Sequence, residues 1–315
     1  MSTAEGVVWV TGAAGAIGHA VVRQLCGQDE KVGAIGHGSL EPSISAPTHG
    51  PPIFENCSVN SDGLLRLLGK TGKPRLIIHL AGGSQVGSSI ENPLADFDKT
   101  TRTTVELLAF ISKQVPDVRL VYASSAAVYG EAMSGPISEA AITNPISPYG
   151  FHKLEAERVI AFWCQRNNLK AAIVRLFSVY GPGLHKQLIF DLFNRMDGAA
   201  AITLGGTGAE LRDWLYIDDA ARLLVGIAAL ASVEAPIFNG GTGVGHDINS
   251  VARTVAHAAD YAGQISFSGE VRAGDPHSLI ACPKRLLESG FGDWTDFTDG
   301  VSATVDSYRL AEDAA

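Results

Sequence analysis

Short, mostly apolar runs recur through the first half of the chain: Val7-Val8-Trp9-Val10, Val32 to Ile35, Leu76 to Leu80, Leu120 to Ala123 and Ala171 to Phe177. Helix-like stretches separate most of them, the first from Ile17 to Leu25. A strand that faces water on one side alternates polar and apolar residues, whereas a continuously apolar strand is covered on both faces. The pattern therefore predicts an α/β fold with a doubly wound parallel sheet. The interval from Gly36 to Pro52, rich in Gly, Pro and Ser, reads as loop. Beyond Gly181-Pro182-Gly183 the alternation becomes irregular, with glycine-rich turns at Gly205-Gly206-Thr207-Gly208 and Asn239-Gly240-Gly241-Thr242-Gly243. Residues 1–177 are expected to form the sheet domain. Residues 178–315 are expected to form a smaller α/β substrate domain, with part of about 213–250 returning to the sheet.

Composition narrows the setting. With 315 residues, 46% of them hydrophobic, the chain can bury a full core. A formal net charge of -9 and the lack of any Lys/Arg-rich run argue against a nucleic-acid surface, so an anionic ligand would be met by a few placed arginines. Cys26, Cys57, Cys164 and Cys282 show neither a Cys-x-x-Cys pair nor zinc-ligand spacing, and no metal site is expected. The start Met1-Ser2-Thr3-Ala4-Glu5 lacks the basic and apolar regions of a signal peptide, and no stretch approaches eighteen apolar residues. A cytoplasmic protein without a membrane partner is expected.

Three motifs carry chemistry. Thr11-Gly12-Ala13-Ala14-Gly15-Ala16-Ile17-Gly18 follows the first strand and opens the first helix. There Gly12 permits the sharp turn, Gly15 lets the backbone approach a pyrophosphate at the helix N-terminus, and Gly18 allows close packing. Ser124-Ser125-Ala126-Ala127-Val128-Tyr129-Gly130 lies further on, and Pro148-Tyr149-Gly150-Phe151-His152-Lys153 follows. A four-residue spacing on a helix puts the Tyr149 phenol and the Lys153 ammonium on one face, where the charge is expected to lower the phenol pKa towards neutrality. The order of the motifs implies redox chemistry on a nicotinamide dinucleotide. Its type is less determined: Ala34-Ile35-Gly36-His37-Gly38-Ser39 offers no acid for the adenosine ribose, yet no Lys or Arg between Lys31 and Arg66 could neutralise a 2′-phosphate. NAD is favoured slightly over NADP.

With these residues in place, the chain resembles the extended short-chain dehydrogenase/reductase family in its nucleotide-sugar epimerase/dehydratase branch, the 4-epimerase pattern being nearest. The likeness is carried also by His79-Leu80-Ala81-Gly82, Ser88-Ser89-Ile90-Glu91-Asn92-Pro93, Arg175 to Gly183, Arg212 to Asp219 and Arg272-Ala273-Gly274-Asp275-Pro276. The resemblance implies a Rossmann-like domain. It also implies that Tyr149 takes the proton from the sugar 4-hydroxyl while a hydride passes to the nicotinamide, that Ser125 hydrogen-bonds the same oxygen, and that Lys153 holds the nicotinamide ribose. The same resemblance places the dinucleotide against Gly12, Ala14, Gly15, Ala16, Ile17, Gly18, Gly36, His37, Ser58, Val59, Leu80, Ala81 and Gly82. A nucleotide-diphosphate sugar would meet Ser84, Ser125, Ser178, Gln187, Arg212 and Arg272, and a homodimer would form through the helices after Pro93 and Tyr149, with Phe110, Phe162 and Trp163 as apolar contributors.

Some positions depart from the family pattern. Related 4,6-dehydratases carry Asp and Glu where this chain has Ala126 and Ala127, which disfavours dehydration. Ser178 stands for a common asparagine, Ser58 near a usual aspartate, Lys99 and Thr103 where asparagines are common, His152 for a serine and Tyr216 for a frequent histidine. Two alternatives to a 4-epimerase stay open at this point: an NADP-dependent keto-sugar-nucleotide reductase, and a non-catalytic dinucleotide-sensing protein.

Overall fold

Trp9 sets the pattern for the sheet: although its strand ends two residues later, just before a glycine turn, none of the ring reaches solvent, and its Nε1 donates to Thr71 Oγ1 at 2.9 Å. Every residue of that strand is buried, as continuous apolar runs require. The computed structural model describes residues 6–42, 44–131, 135–270 and 277–313. In chain order the elements begin β1 (Val7–Thr11), α1 (Ala16–Gly27), β2 (Val32–Gly36), β3 (Ile53–Asn56), α2 (Ser61–Thr71), β4 (Pro74–His79), α3 (Val86–Glu91) and α4 (Pro93–Phe97). A π-helical turn, Asp98–Arg102, leads into α5 (Thr103–Gln114), followed by β5 (Arg119–Ser125), a 3-10 turn (Ala126–Tyr129), α6 (Pro148–Asn167) and β6 (Lys170–Leu176). The remainder comprises β7 (Ser178–Tyr180), α7 (Gln187–Met196), β8 (Ala201–Leu204), β9 (Leu211–Tyr216), α8 (Ile217–Gly226), β10 (Ile237–Gly240), β11 (Gly245–Asp247), α9 (Ile248–Ala258), β12 (Gln264–Phe267), β13 (Ser278–Leu279), α10 (Lys284–Glu288) and α11 (Phe297–Asp313).

The principal sheet has seven strands in the order β10-β6-β5-β4-β1-β2-β3. Strands β1 and β2, β2 and β3, β1 and β4, and β4 and β5 pair in parallel. The chain winds outward from β1 to β3, then crosses back to β4 on the other side of β1. That reversal leaves a crevice beyond the carboxyl ends of β1 and β4, where a doubly wound sheet binds ligands. The Rossmann-like α/β expectation holds. β3 is an addition: its sequence, Ile53-Phe54-Glu55-Asn56, is half polar because it lies at the sheet edge.

Among the described residues between Gly36 and Pro52, the regular pairing is an isolated Ala46–Gly50 bridge, yet Ile44 and Ala46 are buried. Asp29 pins this loop, accepting from Thr48 N and Oγ1 at 2.8 and 2.7 Å.

The chain divides into two units. The first comprises Met1–Tyr129, Thr143–Arg175 and Ala221–Phe238, and the second Gly130–Ile142, Leu176–Ala220 and Asn239–Ala315. The first has a core around Trp9, Leu64, Leu67, Ile77, Leu107, Leu108, Tyr122 and Ile160, the second one around Leu192, Trp214, Val251, Val255, Val301 and Val305. The segment grouped with the first unit is narrower than residues 213–250. The second unit holds a sheet in which β9 pairs with β7, β11 and β13, and a separate β8–β12 pair. Gly130–Ile142 groups with it because Ile137 exchanges backbone hydrogen bonds with Ile280 and Cys282, both 2.8 Å.

Of the three aromatics expected on the outside of the helices, only Phe162 is there, 54% exposed. Phe110 is buried in the first core, and Trp163 packs against that core with its Nε1 donating to Ser112 Oγ at 3.0 Å. Their positions on α5 and α6 turn them inward.

Candidate active site

The glycine turn after β1 meets the neighbouring backbone at close range. Gly12 has φ +67°, and a Cβ there would lie 2.7 Å from Ala81 N, so the turn packs backbone to backbone against the segment after β4. A Cβ at Gly18 would collide with Gly12 O, so α1 sits directly on the turn. Gly15 caps α1 without any side-chain hydrogen bond, and the first turn has no acidic residue. Its amide groups and positive helix end are thus open to a pyrophosphate. At the end of β2, His37 Nε2 and Ser58 Oγ are 3.0 Å apart and Gly38 N donates to Asn56 Oδ1, while Val59 is buried beneath. These groups present polar side-chain and backbone atoms, none of them a carboxylate, where the sequence lacks an acid.

Beneath the crevice lies a network the sequence did not announce. Thr11 Oγ1 accepts from Leu80 N and Ala81 N at 3.2 Å each and is 2.6 Å from His79 Nδ1. Its one proton therefore goes to Nδ1, leaving the proton of His79 on Nε2, which faces Thr104 Oγ1 at 3.1 Å. Burial lowers the imidazole pKa to about 3, with the Lys153 charge adding to the effect, so this histidine is a neutral structural strut.

The expected trio comes together within the first unit. Ser125 ends β5. Pro148 and the Ser147 cap, whose side chain accepts from Gly150 N, start α6 and place Tyr149 in its first turn. Tyr149 N donates to Ser89 Oγ at 3.1 Å, and Ser125, whose Oγ accepts from Ala127 N at 3.2 Å, is near enough to the Tyr149 phenol to lower its pKa. One turn later the buried Lys153 donates from Nζ to Ala123 O at 2.9 Å, with Nζ 5.9 Å from the Tyr149 ring centroid. Ala126 and Ala127 follow Ser125, and a Cβ on Gly150 would collide with Ala127 O, so α6 rests on this turn.

The electrostatics correct one expectation. The Tyr149 phenol is raised above its usual range, first by burial; the Ser125 side chain lowers it and the Asp96 charge raises it further. Burial outweighs the lysine's effect on the phenol, and it also brings the Lys153 pKa down to about 8, opposed by the charges of Asp96 and Glu157. Without ligands the phenol therefore keeps its proton at neutral pH.

The other candidates are more dispersed. Ala14, Ala16 and Ile17 line the turn and first helical positions, Gly36 ends β2, and Leu80, Ala81 and Gly82 follow β4. Gly82 is close to the lysine: a Cβ there would be 3.3 Å from Lys153 Nζ. Ser84 is exposed in the same loop. In the second unit, Ser178 begins β7 opposite Trp214 of β9, the half-buried Arg212 lies opposite His246 and donates from Nη1 to Leu211 O at 2.9 Å, and Gln187 starts α7 at φ +72°. Arg272 lies outside the described residues.

Residues 8–241 match the model of the NAD dependent epimerase/dehydratase family. The UDP-glucose 4-epimerase of Azospirillum brasilense is 28% identical over 96% of this chain and 91% of its own length. The dTDP-glucose 4,6-dehydratase of Shigella flexneri is 25% identical over 96% of this chain and 92% of its own. Among solved structures, MoeE5 in complex with UDP-glucuronic acid and NAD superposes with a TM-score of 0.86 at 29% identity, covering 97% of this chain and all of that one.

Proposed function

Because this chain belongs to the NAD dependent epimerase/dehydratase family, we propose that it interconverts the C4 epimers of a nucleotide-diphosphate sugar through a transient 4-keto sugar. It is an enzyme with NAD as cofactor. The observation that carries the reading is the convergence of Ser125, the Tyr149 phenol and the anchored Lys153 within one unit, with the non-acidic Ala126 and Ala127 directly after Ser125.

The residues fit the cofactor: the uncapped α1 terminus and the glycine turn would cradle its pyrophosphate, His37 and Ser58 would face the adenosine ribose, and Lys153 would hold the nicotinamide ribose. When bound, NAD supplies the reversible two-electron acceptor for the sugar C4–H and, in oxidised form, a positive charge. Tyr149 accepts the 4-hydroxyl proton and returns it to the same oxygen, Ser125 orients that oxygen, and the Lys153 ammonium stabilises the phenolate. Elimination of water would require a further acid and base, and the two alanines cannot provide them. Arg212, with Arg272, is assigned to the diphosphate, since a guanidinium binds phosphate oxygens two at a time; Ser84, Ser178 and Gln187 are assigned to the sugar.

Purified protein incubated with UDP-glucose, UDP-galactose and the corresponding dTDP-sugars should yield a mixture of C4 epimers by proton NMR, with no net change in reduced cofactor. Consumption of added NADPH with formation of a single alcohol would replace this reading by the reductase one, and a 4-keto-6-deoxy product by the dehydratase one.

We further propose a homodimer through α4 and α6, whose Leu94, Phe151 and Phe162 are 67, 48 and 54% exposed. Light scattering at micromolar concentration should return twice the 33.0 kDa chain mass; a monomer mass removes the proposal. The four unbridged cysteines, and the lack among the described residues of a helix able to cross a membrane, support a cytoplasmic setting.

A further inference from the structure

The residue before Lys153 is a histidine, and it does not point into solvent. His152 is buried on α6, its Nδ1 2.6 Å from Asp96 Oδ2 on α4, and Asp96 is buried too. The edges of Phe97 and Phe151 close around the imidazole, with ring centroids 5.5 and 5.9 Å away. An ionisable pair deep in a protein costs desolvation energy, and two apolar residues of the same volume commonly serve the fold as well. Its presence next to Lys153 therefore calls for a reason beyond packing.

The surroundings supply one. The second oxygen of Asp96, Oδ1, lies against the loop after β4: a Cβ on Gly83 would collide with it. Gly83 N donates to Thr100 Oγ1 at 2.8 Å, and a Cβ on Gly82 would lie 3.3 Å from Lys153 Nζ and 3.4 Å from Thr100 Oγ1. Two successive glycines thus bring the backbone against Lys153 on one side and Asp96 on the other. The π-helical turn Asp98–Arg102 widens the helix here, and its neighbouring threonines reach different partners: Thr100 the loop, and Thr101 the carbonyl of His152 at 3.2 Å. Such turns are frequent at functional sites. Lys153 is otherwise faced by Glu157 on its own helix, Tyr122 of β5, whose ring centroid lies 5.2 Å away, His79 of β4 and Tyr149. Glu157 is already engaged by a buried arginine, Arg175, at 2.7 Å.

We propose that Asp96, fixed by His152, is a positioning residue for the Tyr149 chemistry, its carboxylate supplying the negative charge that balances the Lys153 ammonium inside the fold. The Asp96 carboxylate opposes the loss of the lysine proton on burial more strongly than that of Glu157. It acts through Lys153 and touches neither substrate nor cofactor in this assignment. The inference rests on the reading of Tyr149 and Lys153 as the proton-transfer pair.

The test follows the lysine directly. Full-length protein labelled with ¹³Cε-lysine is titrated by NMR, with Lys153→Met assigning the signal. Asp96→Asn keeps the shape and an acceptor for His152 but removes the charge, so the Lys153 midpoint should fall by about one unit. His152→Gln keeps the carboxylate and offers it a donor, so the midpoint should not fall. An unchanged midpoint in Asp96→Asn, or an equal fall in both variants, overturns the proposal. If Asp96→Asn does not fold, the double variant Asp96→Ser/His152→Ser carries the same expectation, and failure of both to fold marks the pair as purely structural and overturns it. No sugar nucleotide is needed. A moved midpoint in a protein that turns over no nucleotide sugar leaves the electrostatic assignment standing and removes the epimerase one; an unmoved midpoint in an active epimerase does the reverse.

Discussion

Tyr149→Phe lowers turnover of the cognate nucleotide sugar by about 10²–10⁴-fold, the usual worth of one positioned acid–base group, while the protein still folds and retains NAD. The ring keeps its place because the first turn of α6 is fixed by the Ser147 cap and by the bond from Tyr149 N to Ser89 Oγ, neither of which uses the phenol. Dinucleotide binding survives because the glycine turn and Lys153 are untouched. Single-turnover absorbance of bound NAD at saturating sugar isolates the affected step, and a variant that reduces its cofactor at the parental rate would exclude Tyr149 as the proton carrier. In the parent, Lys153 loses its charge as pH rises through about 8, so kcat/KM should fall on the alkaline side of that value. Lys153→Met should abolish this limb, whereas Tyr149→Phe should leave it, because the ammonium still titrates.

What could be read in the sequence was whatever depends on local geometry. Gly12 and Gly18 are dictated by a left-handed turn and a helix seated on it, and both constraints lie within eight residues of β1. The Tyr149/Lys153 spacing is a property of one helix, and the apolar runs mark strands wherever those strands are covered on both faces. What could not be read is set by partners far along the chain. The sign of the Tyr149 shift was missed because a helical spacing shows a nearby charge but not the burial that outweighs it. His152 was visible as an odd residue before the lysine, but its partner Asp96 lies 56 positions upstream, and a π turn alters the helical phase between that aspartate and the threonines that brace it. The sheet edge β3 and the grouping of Gly130–Ile142 were hidden for the same reason, since the second depends on Ile280 and Cys282 near the end of the chain.

The largest stability effect is expected at Glu157, one helical turn beyond Lys153 on the same buried face of α6. Its carboxylate accepts from Ser124 Oγ at 2.5 Å and from Arg175 Nε and Nη2 at 3.0 and 2.7 Å, and the Arg175 guanidinium lies 4.8 Å from the Tyr129 ring centroid. Both charges are 4% exposed, so neither can fall back on water when the other is removed. Glu157→Gln leaves the guanidinium buried and unbalanced, a loss of about 3–5 kcal/mol in unfolding free energy. The double variant Glu157→Leu/Arg175→Leu removes both charges and should recover most of that loss. The same carboxylate also supports the Lys153 proton, so Glu157→Gln should shift the alkaline limb of kcat/KM to lower pH in whatever fraction remains folded. Denaturant titrations in which Glu157→Gln matches the parent within about 1 kcal/mol would mean that Arg175 finds another acceptor, and the ion pair would then not be what ties α6 to β5 and β6.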